Sequence, residues 1–346
     1  MAKPNLLCDT KGMDRKRWLE CREHGPDGKI DYTVGGSDVA AIFGLSPWVT
    51  PLELWRQKKG LMKLTVINED QLEMGHMLEP IVAHWYEKKT GYTVTDDTGL
   101  YQHADFPYAL ANLDRRFMEP SGLNGILECK STTYHKASEW YGDAIPVYYE
   151  YQLRFYLAVM DMEVGDFACL WGNNPDNDMA KPRILRDKFK ENIIFEKLDE
   201  WIWSLKNDKP PTMDDVSDSK LALDALARIY GASNSLLPTI EFPKKYEHGL
   251  RSIATLQTEN AELQKSITDN EKKIETHSVR IAEMMKEHEY GILETTTDKL
   301  LIDFVTKTIR RVNSEILKKT HPTIYEECRL PSDSRKIKVR IEPKVV

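Results

Sequence analysis

Cysteine is scarce in this chain of 346 residues: there are five, at positions 8, 21, 129, 169 and 328. Odd in number and widely spaced, they argue against a disulfide frame or a zinc knuckle and for reduced thiols in a cytoplasm. Long apolar runs are missing too. Nothing is long enough to span a bilayer, and residues 1–18 contain no stretch resembling a signal peptide. A basic surplus is also lacking, since 48 Lys and Arg face 55 Asp and Glu, for a net charge of −7. Net charge therefore gives no support to a nucleic-acid partner. It does not exclude one, because carboxylates clustered around a cation add acidic charge and a basic groove can sit on an acidic body. Residues 299–346 hold twelve Lys and Arg against six Asp and Glu, so the charge is unevenly spread. There is no internal repeat. A hydrophobic share of 41% and a charged share of 30% describe an ordinary globular chain. Its length suits one sizeable core with an accessory region.

Turn residues and apolar spacing divide the chain into elements. Residues 13–30 read as a short helix closed by the Gly-Pro-Asp-Gly turn at 25–28. Gly35 and Gly36 precede a helix capped by Ser37 or Asp38, and Thr50 with Pro51 opens another. Helical spacing runs through Leu72, Leu78, Ile81, Val82 and Trp85 and stops at Gly91. Trp48, Trp55 and Trp85 are assigned to the core. Strands are expected over 92–95, 108–113 and 125–130, a helix over 146–160, strands over 166–172 and 182–186, and a helix over 191–205. This order predicts an α/β fold, a mixed central sheet flanked by helices. Residues 214–219 look like a linker. Over 250–289 the residues Ile253, Asn260, Ile267, Ile274 and Ile281 recur every seven, as do Leu256, Leu263, Asn270, His277 and Met284. That pattern predicts a long helix or helical hairpin, partly of coiled-coil type. A strand over 300–305, a helix over 313–319 and a strand over 336–341 complete the tail. Three regions are expected: 1–213, 214–290, and a small basic α/β tail at 291–346.

The chemistry centres on Asp114 and, fourteen residues later, Glu128-Cys129-Lys130. In a strand Glu128 and Lys130 project to one face while Cys129 points to the other. Asp114 and Glu128 supply two carboxylates, and the Cys129 backbone carbonyl a third oxygen, for a hard cation such as Mg²⁺. Lys130 is placed to orient or help deprotonate an attacking water and to offset charge on a phosphate. Such a triplet is common in charged proteins, where it marks an edge strand with alternating solvated charges. Here Glu128 interrupts an otherwise apolar run, and a carboxylate there requires a partner or a metal.

Six blocks then occur in order: residues 35–44 (GGSDVAAIFG), 50–55 (TPLELW), 74–80 (MGHMLEP), 111–115 (ANLDR), 127–130 (LECK) and 151–152 (YQ). In this series the chain resembles the YqaJ-type viral recombinases, relatives of phage lambda exonuclease, over roughly residues 13–210. Asn112 and Cys129 are small departures from the pattern. The resemblance implies a PD-(D/E)xK restriction-endonuclease-like core. It adds Glu79, on a helix facing the sheet, as a further ligand for a metal or water, and Gln152 as the group that orients a ligand or the nucleophile. An ordinary exposed glutamine is the competing reading of Gln152. His76 is expected to pack or hydrogen-bond beside Glu79 and not to act as a base. Arg22 and Ser37 look like the pair that holds a terminal 5′ phosphate; an arginine fork and a hydroxyl at a helix start suit an anion.

The resemblance thus implies an Mg²⁺-dependent deoxyribonuclease, with Mn²⁺ as a substitute. Its expected action is 5′→3′ digestion of linear double-stranded DNA, leaving 3′ single-strand overhangs. The implied setting is phage-type recombination in a bacterial cytoplasm, with a single-strand annealing protein as partner and a homotrimer ring as assembly. Two other readings stay open: a structure-specific endonuclease of the same fold, and a non-catalytic DNA-end-binding or assembly protein.

Overall fold

The computed structural model describes residues 3–62, 69–171, 174, 182–213, 216, 218–231, 236–306 and 314–327. The chain divides into two compact units, Met1–Gly231 and Ala232–Val346. The first contains β1 (Asn5–Asp9), α1 (Arg15–His24), α2 (Gly36–Ile42), α3 (Pro51–Lys58) and α4 (Glu69–Thr90). Four short strands follow: β2 (Thr93–Asp96), β3 (Gly99–Gln102), β4 (Leu110–Asn112) and β5 (Arg115–Met118). Then come β6 (Asn124–Thr132), α5 (Val147–Met160), β7 (Val164–Trp171), β8 (Ile184–Leu185), α6 (Lys188–Lys206) and α7 (Ser219–Tyr230).

The central sheet has the order β2-β5-β6-β7-β8 and is mixed: β6 and β7 run parallel and the other neighbours antiparallel. Helices flank both faces, as expected. On one face Ile126, Phe167 and Cys169 pack with Val39 of α2, Leu153 and Leu157 of α5 and Leu198 of α6. On the other, Leu127, Cys129 and Ala168 pack against Val82, Ala83 and Tyr86 of α4. Strand alternation therefore puts Glu128 and Lys130, in phase with Ile126, on the α5 face.

Local chemistry explains most of the boundaries. Asp14 accepts the Arg17 N–H at 2.8 Å and opens α1, which stops at Gly25 with φ 73°. Thr50 and Glu53 cap α3 reciprocally, with Pro51 as its first residue. At α2 the structure corrects the expected cap. The helix begins at Gly36 with Gly35 as N-cap, and Asp38 works from the third position by accepting the Gly35 N–H at 3.0 Å. Ser37 lies one residue inside the helix and faces solvent. The expected strand over 108–113 shrinks to β4, which joins β1 and β3 in a separate antiparallel sheet. The strands β1, β3 and β5 were not expected, being short and without clean alternation.

Away from the central strand, His103 joins β3 to α6. Its Nδ1 accepts the Asp105 and Phe106 N–H groups at 3.0 and 3.3 Å, and its ring lies 4.9 Å from that of Phe195. Burial holds its pKa below the ordinary histidine value. An unfolded chain therefore takes up this proton before the folded one does. The stabilisation is complete above the ordinary value and fades as pH falls through the depressed one. Urea midpoints should drop more steeply for the wild type than for His103→Gln between about pH 7 and 5. Equal slopes in the two proteins would remove His103 from this role.

The boundary between the units falls beyond α7, which is tied into the first unit by Arg228 donating to the buried Glu53 at 2.8 Å. The second unit contains α8 (Glu247–Met285), β9 (Tyr290–Glu294), β10 (Lys299–Asp303), α9 (Ser314–Thr320) and α10 (Pro322–Glu327). The seven-residue pattern belongs to one helix of 39 residues, not a hairpin. Its Leu256, Leu263, Ile274 and Met284 are exposed. β9 and β10 pair antiparallel. The strand expected over 336–341 lies outside the described residues.

Candidate active site

The sheet ends unevenly beside Cys129. Arg115, the first residue of β5, pairs with Leu127, so the ladder stops before it reaches Cys129. The Cys129 N–H donates instead to Asp114 Oδ2 at 3.0 Å. Asp114 is thereby fixed beside the edge of β6 on which Cys129 sits. Glu128 is completely buried. Its Oε2 accepts from Lys130 Nζ at 2.8 Å and from Gln152 Nε2, on α5, at 2.9 Å. Its Oε1 is buried and has no hydrogen-bond partner among the described residues. Lys130 Nζ also lies 3.6 Å from Asp114 Oδ2 and 5.1 Å from the ring centre of Tyr149.

Burial, followed by repulsion from Asp114, pushes the Glu128 carboxyl up to about 8, against the opposing pull of Lys130. Glu79 on α4 is raised as well, by burial and then by Asp114. His76 Nδ1, 3.0 Å from Glu79 Oε1, partly offsets that. Burial alone would lower Lys130, but Glu128 and Asp114 hold its proton and leave it well above the ordinary lysine value. Three carboxyl groups thus share one ammonium, and one buried oxygen has no donor. This donor set fits a hard divalent cation, since burying a carboxylate oxygen is unfavourable unless it is paired. Among the described residues, no three His, Cys, Asp or Glu side chains are gathered into a cage able to hold a metal by themselves. Backbone oxygen and water would complete the coordination, as is usual for Mg²⁺.

A second cluster adjoins the first. The Arg22 guanidinium carbon lies 4.5 Å from the Trp18 ring centre, and Trp18 Nε1 donates to Asn112 Oδ1 at 2.9 Å. Arg22 lies against the start of α2, where a Cβ on Gly35 would come within 3.0 Å of Arg22 Nη2. A Cβ on Gly36 would meet the Tyr156 ring at 2.5 Å, so only glycine allows α2 this approach to α5. Tyr156 spans the two clusters: Arg22 and Glu128 both act on its hydroxyl electrostatically, and Gln152 Nε2 lies 3.5 Å from it. Burial would raise Asp38, yet Lys58 at 2.8 Å and the Gly35 N–H keep it below the usual carboxylate range.

Residues 17–163 match the YqaJ-like viral recombinase domain. The candidate site thus lies in a segment similar to that domain. The chain is 26% identical to the YqaJ protein of Bacillus subtilis strain 168 over 338 residues, 97% of each protein. Among solved structures it is similar to an alkaline exonuclease from Laribacter hongkongensis. That match has 19% identity and a TM-score of 0.45, covering 56% of this chain and 94% of that one. A phage-related exonuclease from Haemophilus somnus 129PT matches at 14% identity and a TM-score of 0.36, covering 51% and 92%.

The matched segment contains every candidate site residue read from the sequence. Within it Glu79, Asp114, Glu128, Lys130 and Gln152 come together, and Arg22 joins the start of the helix that carries Ser37. Gln152 is a half-buried donor to Glu128, not a solvated side chain. His76 binds Glu79, as expected. Three neighbours were missed: Trp18, Tyr149 and Tyr156. The two tyrosines were readable, because 149, 152 and 156 stand at helical three- and four-residue spacing and so share a face with Gln152. Trp18 carried no comparable signal.

Proposed function

We propose that the YqaJ-like domain is a metal-dependent DNA exonuclease, cutting one strand of linear duplex from its 5′ end. The observation that carries the reading is the buried Glu128 carboxylate, with one oxygen shared by Lys130 and Gln152 and the other without a donor. Asp114, Glu128 and the Cys129 carbonyl would hold Mg²⁺, or Mn²⁺ in its place, with Glu79 reaching it through a water. In an extended strand the N–H and C=O of one residue point to the same edge, so the Cys129 carbonyl shares the edge on which Asp114 lies. When bound, the cation supplies Lewis acidity, polarising the phosphoryl oxygen and making water more acidic.

The chain's own groups supply the rest. Lys130 carries a proton and balances negative charge on the carboxylates and an incoming phosphate. Gln152 holds the Glu128 carboxylate in one orientation. Arg22 and the exposed Ser37 hydroxyl receive the terminal 5′ phosphate, with Trp18 keeping the guanidinium in place. Digestion in this direction leaves a 3′ overhang, the substrate of a single-strand annealing protein in phage-type recombination. A homotrimer ring is the assembly proposed.

One digestion series tests the reading. With Mg²⁺, 5′-phosphorylated linear duplex should be degraded while closed circular duplex persists, and EDTA should stop the reaction. Arg22→Ala should lower the preference for 5′-phosphate over 5′-hydroxyl ends by roughly ten- to a hundredfold, the effect of losing a charge-assisted hydrogen bond. Cutting of closed circles would make the protein an endonuclease. An unchanged end preference would take Arg22 out of end recognition.

A further inference from the structure

Trp48 was expected in the core, but 48% of its surface is exposed. It is not a loose loop side chain. The buried Ser46 hydroxyl accepts the Trp48 and Val49 N–H groups at 3.2 and 3.3 Å. The Leu45 and Ser46 N–H groups in turn donate to Ala40 O at 2.9 and 3.1 Å, at the end of α2. The indole meets Tyr148 edge-on at 5.0 Å, and its centre is 6.2 Å from that of Tyr149. Tyr149 is the ring against Lys130. A half-exposed tryptophan is thus held rigidly, one aromatic ring away from the ammonium of the candidate active site. The other two tryptophans considered with it are used in packing: Trp55 is buried, and Trp85 lies against the α4-side core under Lys88.

We infer that Trp48 stacks on an unpaired nucleobase of the DNA strand whose phosphate lies at Lys130. This rests on the nuclease reading above. A base one or two nucleotides from the scissile phosphate falls within reach of a ring this close to Lys130. Every base offers a π-face, so stacking is indifferent to sequence. That suits an enzyme that must accept each nucleotide in turn. A preformed platform also favours the separated strand end over the paired one, which helps to open the duplex before cleavage.

The test uses the full chain and a 5′-phosphorylated linear duplex whose 5′ end is left unpaired and contains 2-aminopurine, so that the probe is free of duplex stacking when Trp48 is absent. Fluorescence is read in EDTA and steady-state cleavage in Mg²⁺. The probe should be dim in the wild-type and Trp48→Phe complexes and bright in Trp48→Ala. Trp48→Ala should raise KM by roughly five- to a hundredfold, the range for one stacked base, with a smaller change in kcat. Trp203→Ala, which removes an exposed tryptophan on α6, should match wild type. If the wild type cuts DNA while Trp48→Ala keeps its KM and dim probe, the stacking role is wrong and the nuclease reading stands. If that unchanged probe is accompanied by an altered oligomeric state in sedimentation, Trp48 belongs to an interface between copies and the inference falls. A wild type that neither binds nor cuts this duplex overturns both readings.

Discussion

Glu128→Gln should lower the cleavage rate by at least about a thousandfold, roughly 4 kcal/mol of transition-state stabilisation, with the thermal midpoint unchanged or raised. The two effects separate because they draw on different properties of the side chain. Gln has the shape of Glu, so its carbonyl oxygen can still accept from Lys130 and Gln152. Removing the charge relieves the repulsion with Asp114 and Glu79 that, together with burial, pushes the Glu128 carboxyl up to about 8. Folding therefore loses little. Cation binding loses a charged ligand oxygen at the centre of the site, and an amide is a poor substitute for a carboxylate there. Calorimetric titration with Mg²⁺ should show weakened binding in the variant, while circular dichroism reports an intact fold. Near-normal Mg²⁺-dependent cleavage by folded Glu128→Gln would end the assignment of Glu128 as a metal ligand.

The parts of this site legible in the sequence are those governed by short-range rules. Strand alternation alone predicts that Glu128 and Lys130 share a face, and the apolar neighbours of Glu128 predict its burial. The long helices α4, α5, α6 and α8 follow from apolar spacing and turn residues. Glu79, Gln152, Arg22 and Ser37 needed the family resemblance, because their roles depend on which helix packs where. β3 and β5 escaped notice because Gly99-Leu100-Tyr101-Gln102 and Arg115-Arg116-Phe117-Met118 have too few residues to establish a period of two. The cap of α2 was misplaced because Ser37 is a favoured capping residue, whereas in the bond that forms the Asp38 carboxylate accepts the Gly35 N–H. Trp48 shows the remaining limit. A tryptophan between two helices is assigned to the core by composition, and only the tertiary arrangement places its ring beside Tyr148 and in the open.

Lys130→Met should reduce cleavage by at least about a hundredfold, and unlike Glu128→Gln it should also destabilise the fold in a pH-dependent way. Lys130 is the ammonium 2.8 Å from Glu128 Oε2 and 3.6 Å from Asp114 Oδ2. Methionine fills similar space without charge and leaves two carboxylates without their counterion. The Glu128 carboxyl, already raised, then rises further. Below about 8 the carboxyl is protonated in both proteins and the missing ammonium matters little. Above it the wild type ionises against its ammonium while the variant cannot, and the variant should lose about 1–3 kcal/mol relative to wild type by the time pH reaches its own raised value. Urea midpoints for the two proteins should therefore diverge as pH rises above about 8. Lys130→Arg keeps the charge but not the compact point geometry, so it should hold the stability better than the activity. A Lys130→Met protein that cuts within roughly threefold of wild type would show that the ammonium is not needed at the phosphate. A destabilisation independent of pH would show that Lys130 acts through packing against Tyr149, and not by balancing the carboxylates.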